Sequence, residues 1–147
     1  MNKPVPYDYF YTKVMDLSVW IYTNILRFGK YENESIIKFA AADKKSNILD
    51  YGCNTGRHAL NVKQAYGYNV MGADINPAAI SVAQRKGIPA ELITPKFFEK
   101  YKFSFDIIIN SHVLEHVDDP KDFLVNIRGL LKEDGTFVIA IPQERIR

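Results

Sequence analysis

From Ser46 onward short apolar runs alternate with helical patterns, and that alternation leaves few folds open. Asn47-Ile48-Leu49-Asp50-Tyr51 reads as a short buried strand, followed by a glycine-bearing turn, Gly52 to Gly56. A helix is expected over Arg57 to Tyr66, with Gly67 as its C-terminal cap. The second strand, Asn69 to Asp74, leads into Asn76-Pro77, an N-cap followed by proline at the first helical position. That helix runs to Lys86 and stops at Gly87. Pro89 to Thr94 is a weaker third strand, and Asp106 to Asn110 is the clearest fourth. Asp119-Pro120 repeats the cap signal, and Phe123, Leu124, Ile127, Leu130 and Leu131 form a helical face. Glu133-Asp134-Gly135 then turns the chain into a fifth strand, Thr136 to Ile141.

Strands separated by helices form βαβ units, so the expected class is α/β: a parallel sheet with helices on both faces. Such sheets bind ligands at the C-terminal ends of their strands, near the switch in strand order. The loops after the first, second and fourth strands are therefore the ones to search for chemistry.

Residues 1–45 have a different texture. Phe10, Val14, Leu17, Ile21, Ile25 and Phe28 recur at spacings of three and four, and Gly29 would end that helix. A second short helix is expected over Glu34 to Ala42. No linker follows, so 1–45 is expected to be an N-terminal helical segment packed on a core of residues 46–147.

Composition narrows the partners. A chain of 147 residues is the size of one domain. Its 19 basic and 17 acidic residues leave a net charge of +2, too little basic excess for a phosphate-reading surface. No apolar run approaches the ~20 residues that span a bilayer, and no signal-peptide layout opens the chain. Neither nucleic acid nor membrane is an expected partner. The single cysteine, Cys53, excludes an internal disulfide and a cysteine-based zinc cluster, and fits a reducing, cytoplasmic setting.

Three segments carry chemistry. The first is Asp50-Tyr51-Gly52-Cys53-Asn54-Thr55-Gly56. Its glycines allow unusual backbone angles and close approach of a ligand, and the next helix presents free N–H groups. Asp50, at the strand end, can accept a hydrogen bond from a cationic amine. A tight turn with no ligand would also want glycine. A nicotinamide fingerprint needs glycine at the positions of Gly52, Asn54 and Arg57, and only the first is met. The second is Asp74, ending strand two, where a carboxylate accepts ribose hydroxyls. The plainer role is a surface turn residue. Replacing Asp74 is expected to leave the ligand-free fold nearly unchanged. The third segment is Asn110 to Val117. His112 to His116 spells H-x-x-E-H, an inverted zinc-protease pattern, but Asp118, Asp119 and Pro120 limit it to a short turn. No metal site is assigned there, and His116 bracing the turn is the commoner fate.

Taken together, Asn47 to Gly56, Val70 to Ile75 and Phe105 to Pro142 resemble the class I S-adenosylmethionine-dependent methyltransferases, particularly the small-molecule type 11 and 12 branch. The resemblance covers about residues 46 to 142. It implies a Rossmann-like sheet of order 3-2-1-4-5 and S-adenosylmethionine as cofactor. It further implies methyl transfer to a small-molecule acceptor, whether sugar, quinone precursor, lipid intermediate or natural product. Asp50 and the backbone of Gly52, Cys53, Asn54 and Gly56 would hold the methionine moiety. Asp74 would bind the ribose, and Ile75 would pack on the adenine. Ser111 and His112 would line the cavity near the methyl group. His112 or His116 would act as general base for a weak nucleophile.

Three departures stand out. Asn54 replaces the family's middle glycine, and asparagine tolerates left-handed backbone. Ile93-Thr94-Pro95 replaces an acidic residue that meets the adenine amine, so that contact is either lost or supplied by Thr94. The family sheet has seven strands, whereas this sequence is expected to stop after five. Strand five would then be an open edge that is covered by a partner or the N-terminal helices, or that seeks a second copy of the chain or missing sequence. In a quinone-biosynthesis branch the post-strand-four segment binds a divalent ion. His112, Glu115 and His116 have similar spacing, but so short a turn is a poor preformed site, and any metal effect is expected to be minor. Two other functions stay open: a cofactor-binding module without catalysis, and a nicotinamide-dependent oxidoreductase.

Overall fold

The computed structural model describes residues 34–36, 38 and 45–141. Five parallel strands form one sheet: β1 (Asn47–Tyr51), β2 (Asn69–Asp74), β3 (Ala90–Leu92), β4 (Phe105–Ser111) and β5 (Leu131–Ala140). Their order is β3-β2-β1-β4-β5, as expected. Four helices connect them: α1 (Arg57–Tyr66), α2 (Pro77–Arg85), α3 (Pro95–Lys100) and α4 (Pro120–Leu130). A 3₁₀ turn, Leu114–His116, follows β4.

The pleat sends alternate residues to opposite faces. Ile48, Val70, Ile107 and Ile109 pack with Ala59 and Val62 of α1 and with the buried Ile36. Leu49, Tyr51, Ala73 and Ile108 pack on the other face against Phe97 of α3 and Phe123, Ile127 and Leu130 of α4. Burial on both faces explains the near-continuous apolar runs of β1 and β4. Glu34, Ser35, Ile36 and Lys38 are helical, within the expected second helix. The stripe from Phe10 to Phe28, the cap at Gly29 and the segment after Ile141 lie outside the described residues.

Three of the four helices, α2, α3 and α4, start by one recipe. Asn76 Oδ1 accepts from the N–H groups of Ala78 and Ala79, and Asp119 Oδ1 from those of Lys121 and Asp122. Each cap contributes about 1 kcal/mol. Thr94-Pro95 does the same for α3, with Thr94 Oγ1 accepting from Phe97 N–H at 3.3 Å. The apolar pattern extended strand three through Thr94 and predicted no helix here. The strand is shorter because a capping threonine and a proline together end it.

β5 also differs. It begins at Leu131, directly from α4, and pairs there with Phe105. The register then slips, so that Thr136 meets Ile107. Glu133-Asp134-Gly135 is thus an irregularity within the strand rather than a turn before it. Lys132 Nζ anchors the slip by donating to both oxygens of Asp106, at 2.8 and 2.9 Å, while Asn47 N–H donates to Asp106 Oδ2. These bonds hold the Asp106 carboxyl below the usual range.

Candidate functional site

Strand order reverses between β1 and β4, and the C-terminal ends of β1, β2 and β4 meet there. The turn after β1 folds over β2, because the N–H groups of Gly52 and Cys53 both donate to the Ala73 carbonyl, at 2.8 and 3.0 Å. Gly52 has φ +83°, and a β-carbon there would overlap the Val113 side chain. A side chain is therefore excluded twice, by backbone angle and by space. Asn54 takes φ +49°, the left-handed geometry that asparagine was expected to tolerate. Cys53 is buried over Gly72, and burial pushes its thiol well above the usual range. Its side chain packs with Ile80, Ala83 and Ala90.

Asp50 is 2% exposed. Its Oδ2 accepts from Ala59 N–H, in the first turn of α1, at 3.1 Å. The residue at the α1 cap position, Gly56, has no side chain to do this. His58 Nδ1 lies 3.8 Å from Asp50 Oδ1. This carboxylate thus faces the helix start, and fixes the turn between its own strand and that helix.

Asp74 holds the turn from the other side. Its Oδ2 accepts from Asn54 N–H at 2.8 Å, and its Oδ1 from Asn76 N–H at 2.9 Å. A carboxylate has about four acceptor positions, and these two bonds occupy half of them. Ile75, next along, is 78% exposed, an unusual state for isoleucine. Ile93 N–H donates to the Asp74 carbonyl, which brings Thr94 alongside. The Thr94 hydroxyl oxygen is engaged as the α3 cap. The Tyr51 ring meets Phe123 edge-on, and burial with the Asp74 charge pushes its phenol up to about 12.

β4 ends at Ser111, half-buried. His112 follows in left-handed backbone, φ +56°, its N–H donating to the Ala140 carbonyl of β5. Its side chain is 51% exposed, with Nδ1 3.7 Å from Glu115 Oε1. His116 closes the 3₁₀ turn through N–H to the Val113 carbonyl and is exposed. Among the described residues no three His, Cys, Asp or Glu gather to hold a metal ion.

Two contributors were not anticipated. Val113 seats on Gly52 and joins the post-β4 loop to the glycine turn. Asn110 is wholly buried, and its Nδ2 donates to the Tyr51 carbonyl at 3.1 Å. The signal for it was a polar residue ending the apolar run Ile107-Ile108-Ile109.

A family model described as a methyltransferase domain matches residues 25–147. The chain belongs to the methyltransferase-domain family. The ubiquinone biosynthesis O-methyltransferase of Pelagibacter ubique is 31% identical over 130 residues, covering 80% of this chain and 53% of that protein. The ajmaline N-methyltransferase of Rauvolfia serpentina is 25% identical, covering 65% of this chain and 36% of its own. The chain thus spans about half or less of the length of these relatives. The crystal structure of a TehB-like SAM-dependent methyltransferase from Corynebacterium glutamicum superposes with a TM-score of 0.59 at 26% identity, covering 73% and 60% of the two chains. The class I, S-adenosylmethionine-dependent assignment that the motifs suggested therefore stands.

Proposed function

We propose that this methyltransferase domain binds S-adenosylmethionine across the ends of β1, β2 and β4 and serves methyl transfer to a small-molecule acceptor. The observation that carries the proposal is the cradle around Gly52. A strand-to-helix turn there admits no side chain, and lies beside a carboxylate with spare acceptors and an exposed isoleucine. Those groups suit the cofactor's backbone-bound methionine, ribose diol and adenine face respectively. When bound, the cofactor supplies an electrophilic sulfonium methyl. The chain's own residues then orient an acceptor behind it, and alignment can supply much of the rate. Asp50 acts at one remove, by setting the α1 start. Ser111 and His112 border the acceptor space. His112, with His116 as the more distant candidate, takes a proton where the acceptor is a hydroxyl. Thr94 serves mainly as a helix cap. The buried, unpaired Cys53 thiol fits a reducing, cytoplasmic setting. No helix among the described residues is long and apolar enough to cross a membrane.

Incubation with S-adenosylmethionine and a panel of phenolic, amine and carboxylate acceptors tests the activity. Formation of S-adenosylhomocysteine that depends on an acceptor is expected. Cofactor binding with no turnover on any acceptor would instead favour a binding module.

The same proposal makes β5 a pairing edge for a second copy of the chain. Among the described residues it has a strand on one side only, and Ile139 on it is 40% exposed. Light scattering across a concentration series is expected to show mass rising above the monomer. A clean monomer at high concentration, with fast amide exchange over residues 136 to 140, contradicts this.

A further inference from the structure

The ladder between β1 and β4 pairs Ile48 with Ile107, Leu49 with Ile108 and Asp50 with Ile109, and goes no further. The outer ladders continue. β1 still pairs with β2 at Tyr51 and Ala73, and β4 with β5 at Asn110 and Ile139, then at Ser111 and Ala140. The two central strands therefore diverge just before the glycine turn, at the reversal of strand order where α/β folds open their ligand crevice. At this point the Asn110 side chain crosses the gap, and Nδ2 donates to the Tyr51 carbonyl at 3.1 Å. A side-chain amide takes over where backbone pairing stops. Its orientation is set by chemistry, since only the NH₂ end can face a carbonyl.

The other end of the same amide is unmatched. Asn110 Oδ1 is buried with no hydrogen-bond partner among the described residues. An unmatched buried acceptor is destabilising, and an apolar residue of similar size would avoid it. Apolar packing alone thus gives no reason for an amide at the end of the run Ile107-Ile108-Ile109.

We propose that Asn110 is a positioning residue: its amide clamps the Tyr51 carbonyl across the diverging strands and so fixes where the Gly52 turn begins. Gly52 follows Tyr51 directly, and its N–H is tied to Ala73 on the β2 side. The turn is therefore held from both neighbouring strands, by backbone on one side and by Asn110 on the other. The inference rests on the cofactor proposal above.

The test compares wild type, N110L and N110A by thermal melting without ligand and by calorimetric titration with S-adenosylhomocysteine. N110L keeps the amide's branching and number of heavy atoms, with bulkier ends, and removes both the clamp and the unmatched oxygen. Its ligand-free melting temperature is expected to stay near that of wild type or fall modestly, because the Tyr51 carbonyl left without its donor offsets the removed oxygen, while affinity of the folded molecule falls roughly fivefold or more. A purely structural residue would move the melting temperature and leave the affinity of the folded molecule alone. Folded N110L with wild-type affinity overturns the proposal. If N110L does not fold, N110A decides by the same two readouts, and failure of both to fold assigns Asn110 to the core and overturns it. Absence of binding by wild type removes the cofactor proposal itself, and this one with it.

Discussion

Replacing Gly52 with alanine is expected to abolish measurable S-adenosylhomocysteine binding and to destabilise the fold by about 2 to 5 kcal/mol. Two effects add. Left-handed backbone costs a residue with a β-carbon about 1 to 2 kcal/mol. Overlap with Val113 contributes about 1 to 3 kcal/mol more, as overpacking does elsewhere. Relief of that overlap must displace either the glycine turn or the post-β4 loop, and the proposed ligand site lies between them. Urea unfolding of Gly52→Ala and of the double variant Gly52→Ala/Val113→Ala separates the two effects. The second substitution is expected to recover the steric loss and leave the backbone loss. A Gly52→Ala protein with wild-type stability and affinity would show that neither constraint operates.

Asp74→Ala carries the second large effect. Loss of the ribose acceptor is expected to weaken cofactor binding by about 1.5 to 3 kcal/mol, the range for hydrogen bonds to a charged group. The sequence alone suggested an otherwise unchanged fold, and the structure corrects that. Both carboxylate oxygens accept backbone N–H groups, one from Asn54 in the turn and one from Asn76 at the α2 cap. The ligand-free protein is therefore expected to lose about 1 to 3 kcal/mol as well, toward the lower end because Asp74 is only half-buried. Titration and denaturant unfolding of the same variant measure the two losses independently. Lower stability with unaltered affinity would leave Asp74 as a brace of the turn and nothing more.

These residues mark how far sequence reaches. The strand periodicity, the helix from Arg57 to the Gly67 cap and the tolerance of Asn54 for left-handed backbone are local properties, and local rules captured them. The helix at Pro95 carries the same cap-and-proline signal as Asn76-Pro77 and Asp119-Pro120, but the preceding apolar residues drew Thr94 into a strand. The slip in β5 was hidden because it depends on Lys132 reaching Asp106, a partner 26 positions away. For the candidate site, the position of Asp50 and Asp74 as carboxylates at strand ends was legible and their partners were not. That Asp50 faces Ala59 follows from how α1 docks on β1. That Asn110 meets Tyr51 follows from where two strands diverge. Such contacts are set by packing between elements, which no window along the chain contains.

The central claim is that this crevice takes an S-adenosyl cofactor rather than a dinucleotide. Calorimetric titration of the wild-type chain with S-adenosylhomocysteine, and in parallel with NAD, tests it most directly. The arrangement of Gly52, Asn54, Asp74 and Ile75 predicts saturable binding of S-adenosylhomocysteine and no detectable binding of NAD under the same conditions. NAD affinity equal to or tighter than that for S-adenosylhomocysteine would contradict it.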